Sequence, residues 1–218
     1  MIKLLWPSAR PDMMRETYKH WVAQAVRPDQ ITIKIAVDTE KEREQLKDFD
    51  DVEVMGEYGR GVVAATNALT QSVKTSPGDI LILVSDDFFA PAEWDTWIRE
   101  QFKGFHGCLL VKDGYQAGGC VTIPILDHHC FLALNRIIYH PSYFHQYSDA
   151  ELWHNLKELG MIKNIRKTKG SPIFEHRHWV NAKRKADKFD NTGNSHGGAD
   201  TKNYNNRMKM PLAKRLVS

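Results

Sequence analysis

Long hydrophobic runs, cysteine and glycine-rich phosphate loops are all scarce in this 218-residue chain. No uninterrupted apolar run, Ile80 to Val84 included, exceeds five residues, far short of the ~20 that span a bilayer, so no membrane partner is expected. The opening residues, MIKLLWPSARP, lack the h-region and cleavage site of a secretory signal, and a cytoplasmic protein is expected. Cys108, Cys120 and Cys130 are an odd number without a C-x-x-C pair, which disfavours a disulfide scaffold and a Cys-rich zinc site. Gly59-Arg60-Gly61 lacks the third glycine of a dinucleotide fingerprint. What is present is the composition of a folded domain, 42% hydrophobic and 26% charged, at a length that fits one domain or a domain with a tail.

The net charge of +3 hides an asymmetry. Residues 1–159 carry 16 Lys/Arg against 23 Asp/Glu, whereas residues 160–218 carry 14 against 4. A surface of that kind attracts nucleic acid or phosphates, or is simply a solvated basic face.

Hydrophobic spacing divides the chain into alternating strands and helices. Ile2 to Trp6 reads as a strand, and Met13 to Val26 as a helix with Asp12 as its N-cap. Ile31 to Val37 alternates as a strand closed by Asp38, Glu40 to Phe49 is a charged helix, and Val52 to Met55 is a strand. Val62 to Val73 reads as a helix. Ile80 to Val84 reads as a strand buried on both faces, and Pro91 to Phe102 as a helix with Pro91 in its first turn. Cys108 to Val111 and Val121 to Ile125 are further strands, and Asp149 to Leu159 a further helix capped by Ser148. Such alternation predicts an α/β fold with an open, mostly parallel sheet flanked by helices. From about Trp179 the apolar pattern fades, which divides the chain into a domain at 1–180 and a basic tail or flap at 181–218, ordered on contact with something else.

Asp86 and Asp87 directly follow the most apolar strand, at the carboxyl end where open α/β sheets bind ligands. Two adjacent carboxylates there are costly unless a cation or base neutralises them, and Mg²⁺ or Mn²⁺ holding a diphosphate would do so. His176 and His178, two apart in an extended segment, share one face and can reach a metal. The other histidines look scattered. Ser148-Asp149-Ala150-Glu151 opens a helix; its acids suit the helix dipole, and a carboxylate there facing a cleft can also serve as a general base. Pro7-Ser8-Ala9-Arg10-Pro11 offers backbone groups and a guanidinium after the first strand, and Gly59-Arg60-Gly61 precedes a helix N-terminus.

In order, PSARP, Asp38, GRGVVAATNAL, ILILVSDDF, PAEWDTWI, SDAELWHNLKELG and FEHRHW resemble the GT-A (Rossmann-like) fold of nucleotide-sugar glycosyltransferases, in particular the family-2-like, mostly inverting enzymes. The likeness covers about residues 1–180, and Asp200…Tyr204…Arg207 resembles short glycosyltransferases encoded by bacteriophages, which would place the protein in a host cytoplasm. It implies a nucleoside-diphosphate sugar donor, UDP-linked in most of the family. Pro7, Ser8, Arg10, Asp38, Arg60, Asn67, Ser85 and Asp86 would hold the donor, and Asp87 with His176 and His178 would hold Mn²⁺ or Mg²⁺. Asp149 would deprotonate the acceptor hydroxyl. Two departures stand out: Ser85-Asp86-Asp87 replaces the usual DxD, and Ser148 stands where the family usually has Glu.

Two other classes compete. A nucleotidyltransferase also uses carboxylates and a metal, but usually with a Gly- and Lys/Arg-rich triphosphate loop, and PSARP has one Arg and no Gly. A non-enzymatic nucleic-acid-binding protein would use the basic C-terminal segment, yet recognition-helix, RNP and zinc-finger signatures are missing. A glycosyltransferase whose acceptor is a modified DNA base would reconcile the basic segment with the acidic site.

Overall fold

The computed structural model describes residues 1–55, 61–115, 118–178, 180 and 183–217. Its first half comprises β1 (Ile2–Ser8), α1 (Pro11–Ala23), β2 (Ile31–Val37), α2 (Glu40–Gln45), β3 (Val52–Val54), α3 (Val62–Ser72), β4 (Ile80–Leu83), β5 (Phe88–Phe89) and α4 (Trp94–Gln101). There follow β6 (Cys108–Leu110), β7 (Ile125–Asp127), α5 (His128–Ala133), α6 (Ser148–Glu158), β8 (Ile162–Asn164), β9 (Glu175–His176), α7 (Lys188–Ser195), α8 (Gly197–Arg207) and α9 (Leu212–Arg215).

Seven strands form a mixed sheet in the order β3-β2-β1-β4-β7-β6-β8. The pairs from β3 through β4 are parallel, whereas β7 runs antiparallel to both β4 and β6. Side chains alternate across this sheet because the strand period is two. Leu4 and Trp6 of β1 and Ile80 and Ile82 of β4 pack with Met14, Trp21 and Trp94 from α1 and the start of α4. Leu5, Leu81 and Leu83 point the other way, onto Val63 and Leu69 of α3, Phe131 of α5 and Leu152 of α6. With helices on both faces, β4 is buried along its whole length, which explains its unbroken apolar run. Chain order reverses between β1 and β4, so the crevice at their carboxyl ends is the topological switch point.

Several local expectations are corrected. Pro7 and Ser8 lie inside β1, paired with Ala36 and Val37, so the loop to α1 is shorter than PSARP suggests. Arg10, not Asp12, occupies the cap of α1, because Pro11 starts the helix with its preset φ. Pro91 lies ahead of α4, which is capped by Glu93 in a left-handed conformation. The strand expected at Val121 to Ile125 begins only at Ile125. Tyr147 caps α6 at φ 64°, so Ser148 is the first helical residue and its hydroxyl donates to the His145 carbonyl at 3.1 Å. No helix of the described residues is long and apolar enough to cross a membrane.

Residues 183–217 carry three helices, held by polar groups rather than by an apolar stripe. The buried Asp200 carboxylate accepts the backbone N–H groups of Phe144, His145 and Gln146 at 2.9, 2.9 and 2.7 Å. Arg207 forks onto Glu151 of α6 at 2.8 and 2.7 Å, and the Tyr143 hydroxyl donates to the same carboxylate at 2.6 Å. Tyr204 stacks on Tyr147, with ring centroids 5.1 Å apart. Burial alone would raise the Glu151 carboxyl, but the Arg207 guanidinium and Tyr143 hold it below its ordinary value. Arg207→Ala leaves that buried charge uncompensated and is expected to cost about 3–5 kcal/mol in urea unfolding at neutral pH. A depressed carboxyl contributes stability above its unfolded value and loses it on acidification. The gap between wild type and variant therefore narrows as the pH falls below the ordinary glutamate range.

Candidate active site

β4 delivers its two carboxylates straight into the switch-point crevice, with Asp86 3% and Asp87 5% exposed. Asp86 turns toward β1, where the Trp6 indole N–H donates to Oδ1 at 2.9 Å and the Ser8 hydroxyl to Oδ2 at 3.2 Å. Burial pushes the Asp86 carboxyl up to about 7, against the pull of Trp6, Ser8 and the charge of Arg10. Asp87 turns the other way. Its Oδ1 takes the Ser85 hydroxyl at 2.7 Å and lies 3.4 Å from His176 Nε2, and its Oδ2 lies 3.4 Å from the Arg184 guanidinium. Burial opposes ionisation of Asp87 too, but His176, Ser85 and Arg184 outweigh it and hold the carboxyl well below the usual range. One member of the pair is thus a fixed anion, while its neighbour is poised near neutrality.

The backbone around the pair is clamped from two sides. The Thr17 hydroxyl of α1 donates to the Asp86 carbonyl, and Trp21 Nε1 to the Phe88 carbonyl at 2.7 Å. Across the crevice, the Arg177 N–H donates to the Asp87 carbonyl at 2.8 Å. β9 pairs with β5 so that His176 sits opposite Phe88, and the two rings stack at 4.1 Å. His178 follows on the same face, its ring centroid 5.0 Å from that of His176. Ligand atoms of Asp87, His176 and His178 all lie within 4.8 Å of one another, a set able to grip one divalent ion.

The remaining candidates lie around this centre. Arg10 bonds Asp187 at 2.6 and 3.0 Å and Asp190 at 3.1 Å. Asp38, after β2, accepts the Gly61 N–H at 3.2 Å at the start of α3. Asp149 is half-buried in the first turn of α6, and desolvation raises its carboxyl, with His145 and the Cys120 thiol pulling the other way. Asn67 in α3 takes no part in the described hydrogen bonds that tie Asp86 and Asp87 down, and Pro7 is buried in the sheet. Arg60 lies outside the described residues.

Three contributors escaped the sequence reading. Trp6 read only as the end of the first strand, and Arg184 and Asp190 as part of the basic tail or flap. Arg184 holds Asp190 through two bonds of 2.7 Å while its other side meets Asp87, a link across 97 positions that no local pattern reveals. The cysteines are free and buried, and desolvation pushes the Cys108 and Cys120 thiols up to about 12, so they are poor nucleophiles.

No protein-family model and no curated protein matches this chain. Among solved structures, it is similar to Drosophila β1,4-galactosyltransferase 7 in complex with manganese, UDP-Gal and xylobiose, at 15% identity and TM-score 0.52, covering 86% of this chain and 75% of that one. It is also similar to a mannosyltransferase from Pyrobaculum calidifontis in complex with GDP-Man and Mn²⁺, at 11% identity and TM-score 0.54. There the overlap is 77% of this chain and 58% of the mannosyltransferase. At such identities the likeness is one of fold, and the fold is the GT-A type of α/β sheet.

Ser8 offers a clean test of how Asp86 is held. Ser8→Ala leaves a buried carboxylate oxygen short of a donor and is expected to cost about 1–3 kcal/mol in urea unfolding at pH 8. A change within experimental error would mean that Trp6 alone fixes Asp86.

Proposed function

We propose that the protein is a metal-dependent glycosyltransferase that moves a sugar from a nucleoside-diphosphate sugar to an acceptor hydroxyl with inversion. The observation that carries this reading is the convergence of Asp87, His176 and His178 at the carboxyl ends of parallel strands. The two solved neighbours, each holding Mn²⁺ and a nucleotide sugar on the same type of fold, support it.

Asp87, His176 and His178 would hold the ion. Two imidazoles disfavour Mg²⁺, which demands oxygen ligands in a near-ideal octahedron, so Mn²⁺ fits this donor set better. When bound, the ion supplies positive charge against the departing diphosphate. Asp86, held by Trp6 and Ser8, presents its remaining acceptor capacity to ribose or diphosphate. Ser85 orients Asp87, and Asp38 and Arg10, with Arg60 and Asn67 as the family resemblance implies, would contact the nucleotide. Arg184 meets the diphosphate, which makes the C-terminal segment the flap over the donor. Asp149 accepts the proton as the acceptor oxygen bonds to the anomeric carbon, while the bond from that carbon to the diphosphate breaks and its electron pair leaves with the phosphate. A carboxyl raised by burial suits this task, since a stronger base takes the proton more readily.

UDP-sugars are the first donors to try, because the larger overlap is with the UDP-Gal complex. The acceptor is defined here only as a hydroxyl. A polyanionic acceptor such as modified DNA has less positive charge to meet than composition suggests. Arg207 and Arg215 are spent on Glu151 and Glu158, and Arg166 on the carbonyls of Val111 and Cys120.

With Mn²⁺ and a UDP- or GDP-sugar panel, product release is expected from the wild type. Asp149→Asn is expected to cut kcat by about 10²–10⁴-fold with donor binding intact, the usual worth of a general base. Arg184→Ala is expected to raise the donor KM. Truncating the tail would also strip Arg207 from Glu151, so the point substitution is the better probe. Asp149→Asn at near-full rate would remove Asp149 from the mechanism.

A further inference from the structure

A second constellation of metal-ligating side chains lies at the opposite end of the sheet. Asp127 ends β7 directly opposite Ile80, the first residue of β4, whereas Asp86 and Asp87 follow its last. At about 3.3 Å per residue the two places are on the order of 20 Å apart. We infer that His106, Asp127 and His129 form a second divalent-cation site, suited to a zinc-class transition ion and separate from the proposed active site.

Asp127 is buried and its carboxylate is fixed before any ion arrives. Oδ1 takes the backbone N–H groups of Gly107 at 3.1 Å and Cys130 at 2.9 Å, the latter making it the N-cap of α5. That leaves Oδ2 facing outward, where His106 Nδ1 approaches at 2.6 Å and His129 Nδ1 at 3.3 Å. Their ring centroids are 4.1 Å apart, and ligand atoms of the three residues lie within 4.8 Å of one another. Two imidazoles crowd one carboxylate oxygen, and a divalent ion satisfies all three, with Nδ1 lone pairs in place of N–H donors. Two imidazoles and a carboxylate, with further positions left to water, are a familiar zinc-type donor set.

The surroundings support a built site rather than a chance meeting. A side chain at Gly107 would collide with the Phe105 ring and the Met161 carbonyl, so the backbone whose N–H donates to Asp127 can pack against this wall only because the residue is glycine. The two N–H bonds on Oδ1 are the outer contacts that orient a ligating carboxylate. His106 and His129 keep 64% and 48% of their side-chain surface exposed, which gives an ion free entry. His128 turns aside to the Thr75 hydroxyl at 2.9 Å, and the Cys130 thiol is buried and pushed up, so neither joins the set. An ion here would tie the loop before β6 to the start of α5. It would act as a staple, remote from the chemistry proposed at Asp87.

Zn²⁺ binding to the full-length Asp87→Ala/His176→Ala variant, measured by equilibrium dialysis, isolates this site from the first. One saturable equivalent and a Zn²⁺-dependent rise in Tm are expected, because an ion that binds only the folded state stabilises it. Adding His106→Ala and His129→Ala should abolish both. If the parent variant does not fold, Asp127→Asn in the otherwise wild-type chain takes its place: Asn keeps the N-cap acceptor, and total Zn²⁺ should drop by one equivalent. No binding in the parent variant, or binding unchanged by the histidine or Asn substitutions, would overturn the inference and leave the glycosyltransferase reading untouched.

Discussion

Asp86 and Asp87 stand side by side at the end of a strand buried on both faces, and each carboxylate is costly there until a donor or a cation meets it. The neighbouring elements are arranged around that requirement. β1 sends Trp6 and Ser8 to Asp86, while β9 sends His176 and the C-terminal segment sends Arg184 to Asp87. α1 adds Thr17 and Trp21, which hold the carbonyls of the same turn. The division of labour gives the two acids opposite shifts, with Asp87 held well below the usual carboxylate range and Asp86 pushed up to about 7, within a single turn of chain.

The basic C-terminal segment plays a different part from the one its charge suggests. Much of its positive charge faces inward: Arg184 bridges Asp190 and Asp87, Arg207 closes on Glu151, and Arg215 reaches Glu158. Arg10, just past β1, meets Asp187 and Asp190 from the other side. Specific ion pairs and the Asp200 hydrogen bonds, with Tyr204 and Leu216 packed against the core, thus dock the segment on the sheet domain and carry it to the rim of the acidic site. Removal of positive charge there would act first on the fold and on the Asp87 environment, and only then on any long-range attraction of polyanions.

What could be read from the chain alone follows from how local each signal is. ILILV ending in Ser85-Asp86-Asp87 is a contiguous pattern, and burial on both faces leaves it one reading. His176 and His178 are likewise legible, because two positions apart in extended chain means one face. The two-residue strands β5 and β9 were invisible, since they exist only by pairing with each other across nearly ninety positions. GGADTKNYNNR has no apolar stripe, and its helix depends on Asp200 and Arg207 finding partners on α6 and the loop before it. His106 and His129 looked scattered for the same reason: β6–β7 pairing brings them to Asp127, not spacing. Val121 to Pro124 misled because Val121 and Ile123 are buried in the cores on opposite faces of the sheet, as strand residues are, although the strand starts only at Ile125.

The central claim is that Asp87, with His176 and His178, holds a metal that in turn holds a nucleoside diphosphate. Thermal melting of the full-length protein with UDP and GDP, with and without Mn²⁺, tests it most directly. A ligand of the folded state raises Tm according to its concentration over Kd. A nucleotide shift that requires Mn²⁺ in the wild type, and loses that requirement together with most of its size in Asp87→Ala, is the predicted result. A nucleotide shift of equal size without Mn²⁺, or one unchanged by Asp87→Ala, would contradict the account.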